Sequence, residues 1–263
     1  MSSRVAVQLA AVLCCSLAPL TANAQTAAEQ FSKAASLYAN PSKDGLQSFR
    51  CDVKTDWAEA FSKITGTTIA GTNPLVAALN SAPMTVDDDL KGVGQVHWDT
   101  SKVPDDAKAP IQMMQDGIQQ MWHGFFQSWN GFMTGDVIAV KDDKTKVERE
   151  SNGGFHVFRT DGDQTAEEHF DQNLLLTSMH VKTKGMEITM APVFMDTPQG
   201  KLVTGMDSDY VLQAGASAAH LVMQLKYATV SGYPLPSEFH VIAGPSDFHF
   251  AMTGCVVNPV PAK

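Results

Sequence analysis

The stretch AKAPIQMMQDGIQQMWHGFFQSWNGFMT, residues 107–134, sets the architecture that the remaining sequence must accommodate. Ile111, Met114, Ile118, Met121, Phe125, Trp129 and Phe132 recur at spacings of three and four, which predicts one apolar stripe along a helix. Pro110 falls in the predicted first turn, and Gly135 closes the segment. At 1.5 Å per residue the helix is about 40 Å long. Gln112, Gln115, Asp116, Gln119, Gln120 and His123 lie off the stripe, so the helix is amphipathic and needs a surface to cover.

That surface is predicted downstream. Segments beginning at Val137, Lys146, Gly154, Thr165, Ser178, Met186, Lys201, His220, Glu238 and Asp247 read as short strands. Asp161-Gly162-Asp163, Lys184-Gly185 and Pro198-Gln199-Gly200 supply turn chemistry between them. Phe248 and Phe250 alternating with His249 fit an antiparallel sheet with one apolar face. The expected fold class is α+β: a curved antiparallel sheet forming an unclosed half-barrel, its concave face covered by helices that include residues 107–134.

Upstream, Thr26–Ala39 reads as a helix, Leu46–Trp57 as a strand, Ala58–Ile64 as a short helix and Gly92–Trp98 as a second strand. A helical turn is expected at Leu75–Leu79. The acidic run Val86–Asp89 reads as a loop or helix start with exposed carboxylates.

Residues 1–24 have the form of a cleaved signal peptide, with Arg4, the apolar run Val5–Leu20, and Ala22-Asn23-Ala24 before Gln25. Leu13 and Cys14, which precede Cys14 and Cys15, do not fit a lipidation site, and a lone arginine excludes a twin-arginine signal. The expected location is the periplasm. No second long apolar run suggests a transmembrane helix. With 19 Lys+Arg against 28 Asp+Glu, a net charge of −9 disfavours nucleic acid as a partner. Cys51 and Cys255 remain after cleavage, too far apart for a CxxC motif. In an oxidising compartment they are expected to pair, joining the first and last strands; two separately buried thiols are the alternative.

Three stretches carry a family resemblance. Gln47-Ser48-Phe49-Arg50-Cys51-Asp52-Val53, Gly92-Val93-Gly94-Gln95-Val96-His97-Trp98 and the Leu-Pro-bearing turn within Tyr227–Val241 resemble the periplasmic lipoprotein-carrier superfamily. The resemblance implies a single carrier-like domain over residues 25–263, with a helical insertion near 104–135. It also implies carriage or sensing of acyl chains. Where the carrier has an Arg-Pro pair, this chain has Lys102-Val103-Pro104.

Catalytic signatures are missing from the sequence. Gly215-Ala-Ser217-Ala-Ala219 lacks the second glycine of a nucleophile elbow, and Gly92-Val-Gly94 lacks the third of a dinucleotide loop. Glu167, His169 and Asp171 share a strand face, as do Asp247 with His249 and Glu238 with His240, which suits either zinc or an ordinary wet face. The wet face is the simpler reading, so no metal and no cofactor are expected. Met113, Met114, Met121, Met179, Met190, Met206 and Met223 are among the thioethers that adapt to variable apolar shapes or fill core gaps. The resulting expectation is a binding protein for a lipid or lipoprotein acyl chain. Its cavity would be lined by Met114, Ile118, Met121, Phe125, Trp129 and Phe132, facing Phe158 and Phe250. The alternative is an envelope module with a plugged barrel that binds a protein partner. Gly117, Gly124 and Gly131 mark either a loosely held lid or close packing, with packing preferred.

Overall fold

Thr26 closes a capping box with Glu29: each side chain accepts from the other's backbone N–H. The helix it starts, α1 (Ala27–Phe31), is short, and a 3-10 turn over Ala34–Leu37 replaces the rest of the single helix expected over 26–39. The cause is tertiary. Tyr38 is drawn into a β-bridge with Lys201, and its hydroxyl donates to the Leu174 carbonyl and accepts from the Leu176 N–H. The computed structural model describes residues 26–91, 94–138, 144–212 and 219–259. The expected signal peptide, Gly92, Val93 and Ser217 lie outside them.

β1 (Phe49–Thr55) is followed by α2 (Trp57–Thr65), capped by the Asp56 carboxylate and ended by Gly66 at φ +66°. α3 (Pro74–Asn80) begins on an Asn73 cap with proline at its first position. β2 (Met84–Asp88) and β3 (Gln95–Trp98) follow. The acidic run is therefore strand rather than exposed loop. Pairing with β1 on one side and β3 on the other turns Met84, Val86 and Asp88 inward.

α4 (Asp105–Met133) starts two residues before the predicted segment, with Asp105 and Asp106 in the first turn, where they favour the helix dipole. Pro110 consequently lies in the second turn, where its missing N–H removes the bond to the Asp106 carbonyl. After α4, Asp136–Ile138 is a 3-10 turn at the start of the strand expected over Val137–Val140, whose last two residues lie outside the described ones. Then come β4 (Lys146–Arg149), β5 (Phe155–Asp161), β6 (Gln164–Phe170), β7 (Leu176–Lys182), β8 (Met186–Thr197), β9 (Gly200–Leu212), β10 (Ala219–Val230), β11 (Tyr233–Ala243) and β12 (Ser246–Val257).

Among the described residues, the twelve strands form one open antiparallel sheet in the order β3-β2-β1-β12-β11-β10-β9-β8-β7-β6-β5-β4. The chain walks from β1 to one edge at β3, crosses in α4 to the far edge at β4, and meanders back until β12 pairs with β1. α4 is thus the connection between the two edges, which explains its length. A Cys51–Cys255 disulfide ties β1 to β12 where they meet.

Candidate functional site

The sheet face beneath α4 is built by register. Phe239 lies opposite Phe250 and Leu225, and Val241 opposite Phe248 and Met223, so these side chains share one side. The α4 stripe lands on it. Phe125 stacks on Phe239 with ring centroids 4.2 Å apart, and Trp122 sits 4.9 Å from Phe239 and 5.2 Å from Phe250. Trp129 meets Phe49 edge-on at 5.7 Å, while Phe132 meets Phe194 at 5.6 Å. The Trp129 indole N–H donates to the Tyr227 hydroxyl, which donates to the Val203 carbonyl at 2.6 Å. Burial pushes the Tyr227 phenol far above its ordinary pKa, so that hydroxyl stays a donor.

Seven of the eight expected cavity residues are therefore assigned to this seam: Ile118, Phe125, Trp129, Phe132 and Phe250 buried, Met114 and Met121 half-buried. Phe158 is not among them. It pairs with Glu167 on the opposite side of β5 from the buried Phe155 and Val157, facing away from the seam. Phe49 and Phe239 join the seam without a signal in the sequence; Trp122 and Phe126 join it too, and their apolar excess beside Phe125 and Trp129 does suggest a groove there. The Phe125-Phe126 doublet was the available signal, because adjacent aromatics on a helix widen the stripe beyond spacings of three and four. Gly94 belongs to it as well: a Cβ there would come within 2.3 Å of the Phe126 ring.

The three α4 glycines separate in role. A Cβ at Gly131 would meet Val137 at 2.7 Å, as close packing requires, whereas Gly117 and Gly124 face open space. For those two the packing explanation fails.

Away from the rings, the same sheet face becomes thioether-rich. Met179 pairs with Met190, and Met206 with Met223, with Ser208 and Leu221 between them. A groove of about 590 Å³ opens between α3 and the start of α4, lined by Leu75, Ala78, Pro104, Ala107 and Pro110 among others.

At the far end of α4 a polar cleft of about 540 Å³ is lined by Asn130, Arg159 and Glu168. The Arg159 guanidinium lies 3.0 Å from the buried Glu168 carboxylate and donates to the Asp136 and Val137 carbonyls, holding the 3-10 turn to β5. Behind Asn130 sits Asp88, 3% exposed, whose Oδ1 accepts from the Asn130 amide and the Leu90 N–H. Desolvation pushes its pKa up to about 6. Between about pH 4 and 6 the folded protein keeps a proton that an unfolded aspartate has released, so Asp88's contribution to stability falls as pH rises through that window. Two pKa units correspond to about 3 kcal/mol. Asp88→Asn, which cannot ionise, is expected to match wild type near pH 4 and exceed it by about 2–3 kcal/mol at pH 7.5 in urea unfolding. A difference between variant and wild type that stays flat with pH would show that Asp88 titrates normally.

On the outer face, histidines pair with carboxylates one by one: His240 with Asp247 at 2.7 Å and His249 with Glu238 at 3.0 Å. Asp171 instead caps a turn, accepting from the Asn173 and Leu175 N–H groups, and does not join His169. Among the described residues no helix is long and apolar enough to cross a membrane. No family model matches the chain, and no curated protein or solved structure matches it significantly.

Proposed function

We propose that this is an exported, periplasmic binding protein whose open sheet curves into a half-barrel around an apolar ligand, an acyl chain of a lipid or lipoprotein, with α4 as the lid on the concave face. The observation that carries the reading is the paired thioethers Met179–Met190 and Met206–Met223 on the sheet face that α4 shares. Flexible, polarisable side chains in adjacent register positions adapt to a chain of variable shape more readily than branched ones. The groove between α3 and α4 supplies a mouth. Gly117 and Gly124 lower helix propensity by about 1 kcal/mol each without a packing return, as a lid that must loosen requires. The second reading, a permanently plugged module, is favoured by the full burial of Trp122, Phe126 and Trp129.

Native purification followed by solvent extraction and mass spectrometry distinguishes the two. The carrier reading expects a stoichiometric lipid or acyl species, depleted in a Met190→Leu/Met206→Leu/Met223→Leu variant that still folds. Gly117→Ala/Gly124→Ala is expected to raise Tm by about 4–8 °C while slowing uptake of a fluorescent fatty acid. An empty protein that takes up no fatty acid would leave the plug.

A further inference from the structure

We propose that the outer face of β5 and β6 holds a divalent transition-metal site formed by His156, Glu167 and His169. Register brings them together. His156 lies directly opposite His169, and Glu167 is two residues before His169 on the same side of β6. The two imidazole rings are parallel, 3° apart in plane, with centroids 4.6 Å apart. One ligand atom from each of the three residues falls within 4.8 Å of the others.

Two features of this cluster suit a bound metal. The His156 Nε2 atom is buried and has no hydrogen-bond partner among the described residues; Glu167 Oε2, at 3.7 Å, is beyond hydrogen-bond reach. His240 and His249 each have a carboxylate at bonding distance of Nε2, whereas the buried Nε2 of His156 has no such partner among the described residues.

The second feature is an orienting carboxylate. His169 Nδ1 lies 2.8 Å from Glu150 Oε1, and the other Glu150 oxygen accepts from the Asn152 amide at 3.0 Å. With Nδ1–H donated to Glu150, His169 is the tautomer whose Nε2 carries the lone pair, the arrangement by which metal-bound histidines are held. Tetrahedral coordination at bond lengths near 2.0–2.1 Å needs ligand atoms about 3.3 Å apart, a contraction that side-chain rotation on a half-exposed face can supply. Two imidazoles and a carboxylate select Zn²⁺, Cu²⁺ or Ni²⁺ over Ca²⁺ or Mg²⁺, and three protein ligands leave a fourth position for water.

Zn²⁺ titration by calorimetry on the full mature chain tests the site. One ion per chain is expected, with affinity reduced about 100-fold or more in His156→Ala and His169→Ala, and about 10-fold in Glu150→Gln. His249→Ala, on the same outer face, should bind as wild type does. A Co²⁺ titration of the unmutated protein gives an independent readout should a variant misfold: intense visible bands of tetrahedral Co²⁺ saturating at one equivalent. Unsaturable binding, a purely octahedral spectrum, or unchanged affinity in a folded His156→Ala would overturn the proposal.

Discussion

Trp122→Ala is expected to destabilise the protein by about 3–5 kcal/mol, a third or more of the stability of a typical domain. Trp122 is 0% exposed, and its ring touches four others: Phe125 and Phe126 on its own helix, Phe239 and Phe250 on the sheet. Truncation leaves a cavity that cannot collapse, because strands β11 and β12 form its floor and the helix backbone its roof. Trp122→Phe separates volume from polarity. The indole N–H is buried without a hydrogen-bond partner among the described residues, a cost of about 1–3 kcal/mol that phenylalanine removes. That gain offsets most of the lost volume, so Trp122→Phe is expected within about 1 kcal/mol of wild type. Equilibrium urea denaturation at constant m-value checks both.

The seam was legible because its two halves follow periods visible in one dimension, 3.6 for Ile111 to Phe132 and 2 for Phe248 and Phe250. What was not legible needed a partner from elsewhere in the chain. Asp88 reads as solvent-exposed acid until Phe49 of β1 pairs with it and Asn130 arrives from the end of α4. Phe158 and Val157 are both apolar, so either phase of β5 was admissible; the Val157–Glu168 and Phe158–Glu167 pairs decide it. The sequence groups His169 with Asp171 on a predicted strand Thr165–Asp171, whereas β6 ends at Phe170 and the partner of His169 is His156 across the hairpin. The predicted helix over 26–39 fails for the same reason, since the pull on Tyr38 comes from β7 and β9. Local pattern fixes which elements exist; cross-strand register fixes which side chains meet, and the candidate sites depend on the second.

Removing the Cys51–Cys255 disulfide, by Cys51→Ala/Cys255→Ala or by reduction, is expected to cost about 3–5 kcal/mol. The bridge closes a separation of 204 residues, and in the chain-entropy model a loop of that size restricts the unfolded chain by about 5 kcal/mol. It encloses α4 and nearly the whole sheet, so its loss frees the denatured ensemble everywhere rather than locally. The native state supplies no substitute at that point. Between Arg50–Val256 and Asp52–Thr253 the register slips by one residue, with Gly254 at φ +60°, so the bridge stands at a β-bulge where ladder hydrogen bonding is interrupted. Cys51 is buried beside the β2 pairing, and alanine there adds only a small void. Urea unfolding with and without reductant measures the effect. If both the reduced protein and the double variant unfold within about 1 kcal/mol of wild type, β1–β12 pairing alone holds the junction and the denatured chain is already compact. A loss of about 3–5 kcal/mol would make the protein's stability dependent on an oxidising compartment, the setting that its proposed export provides.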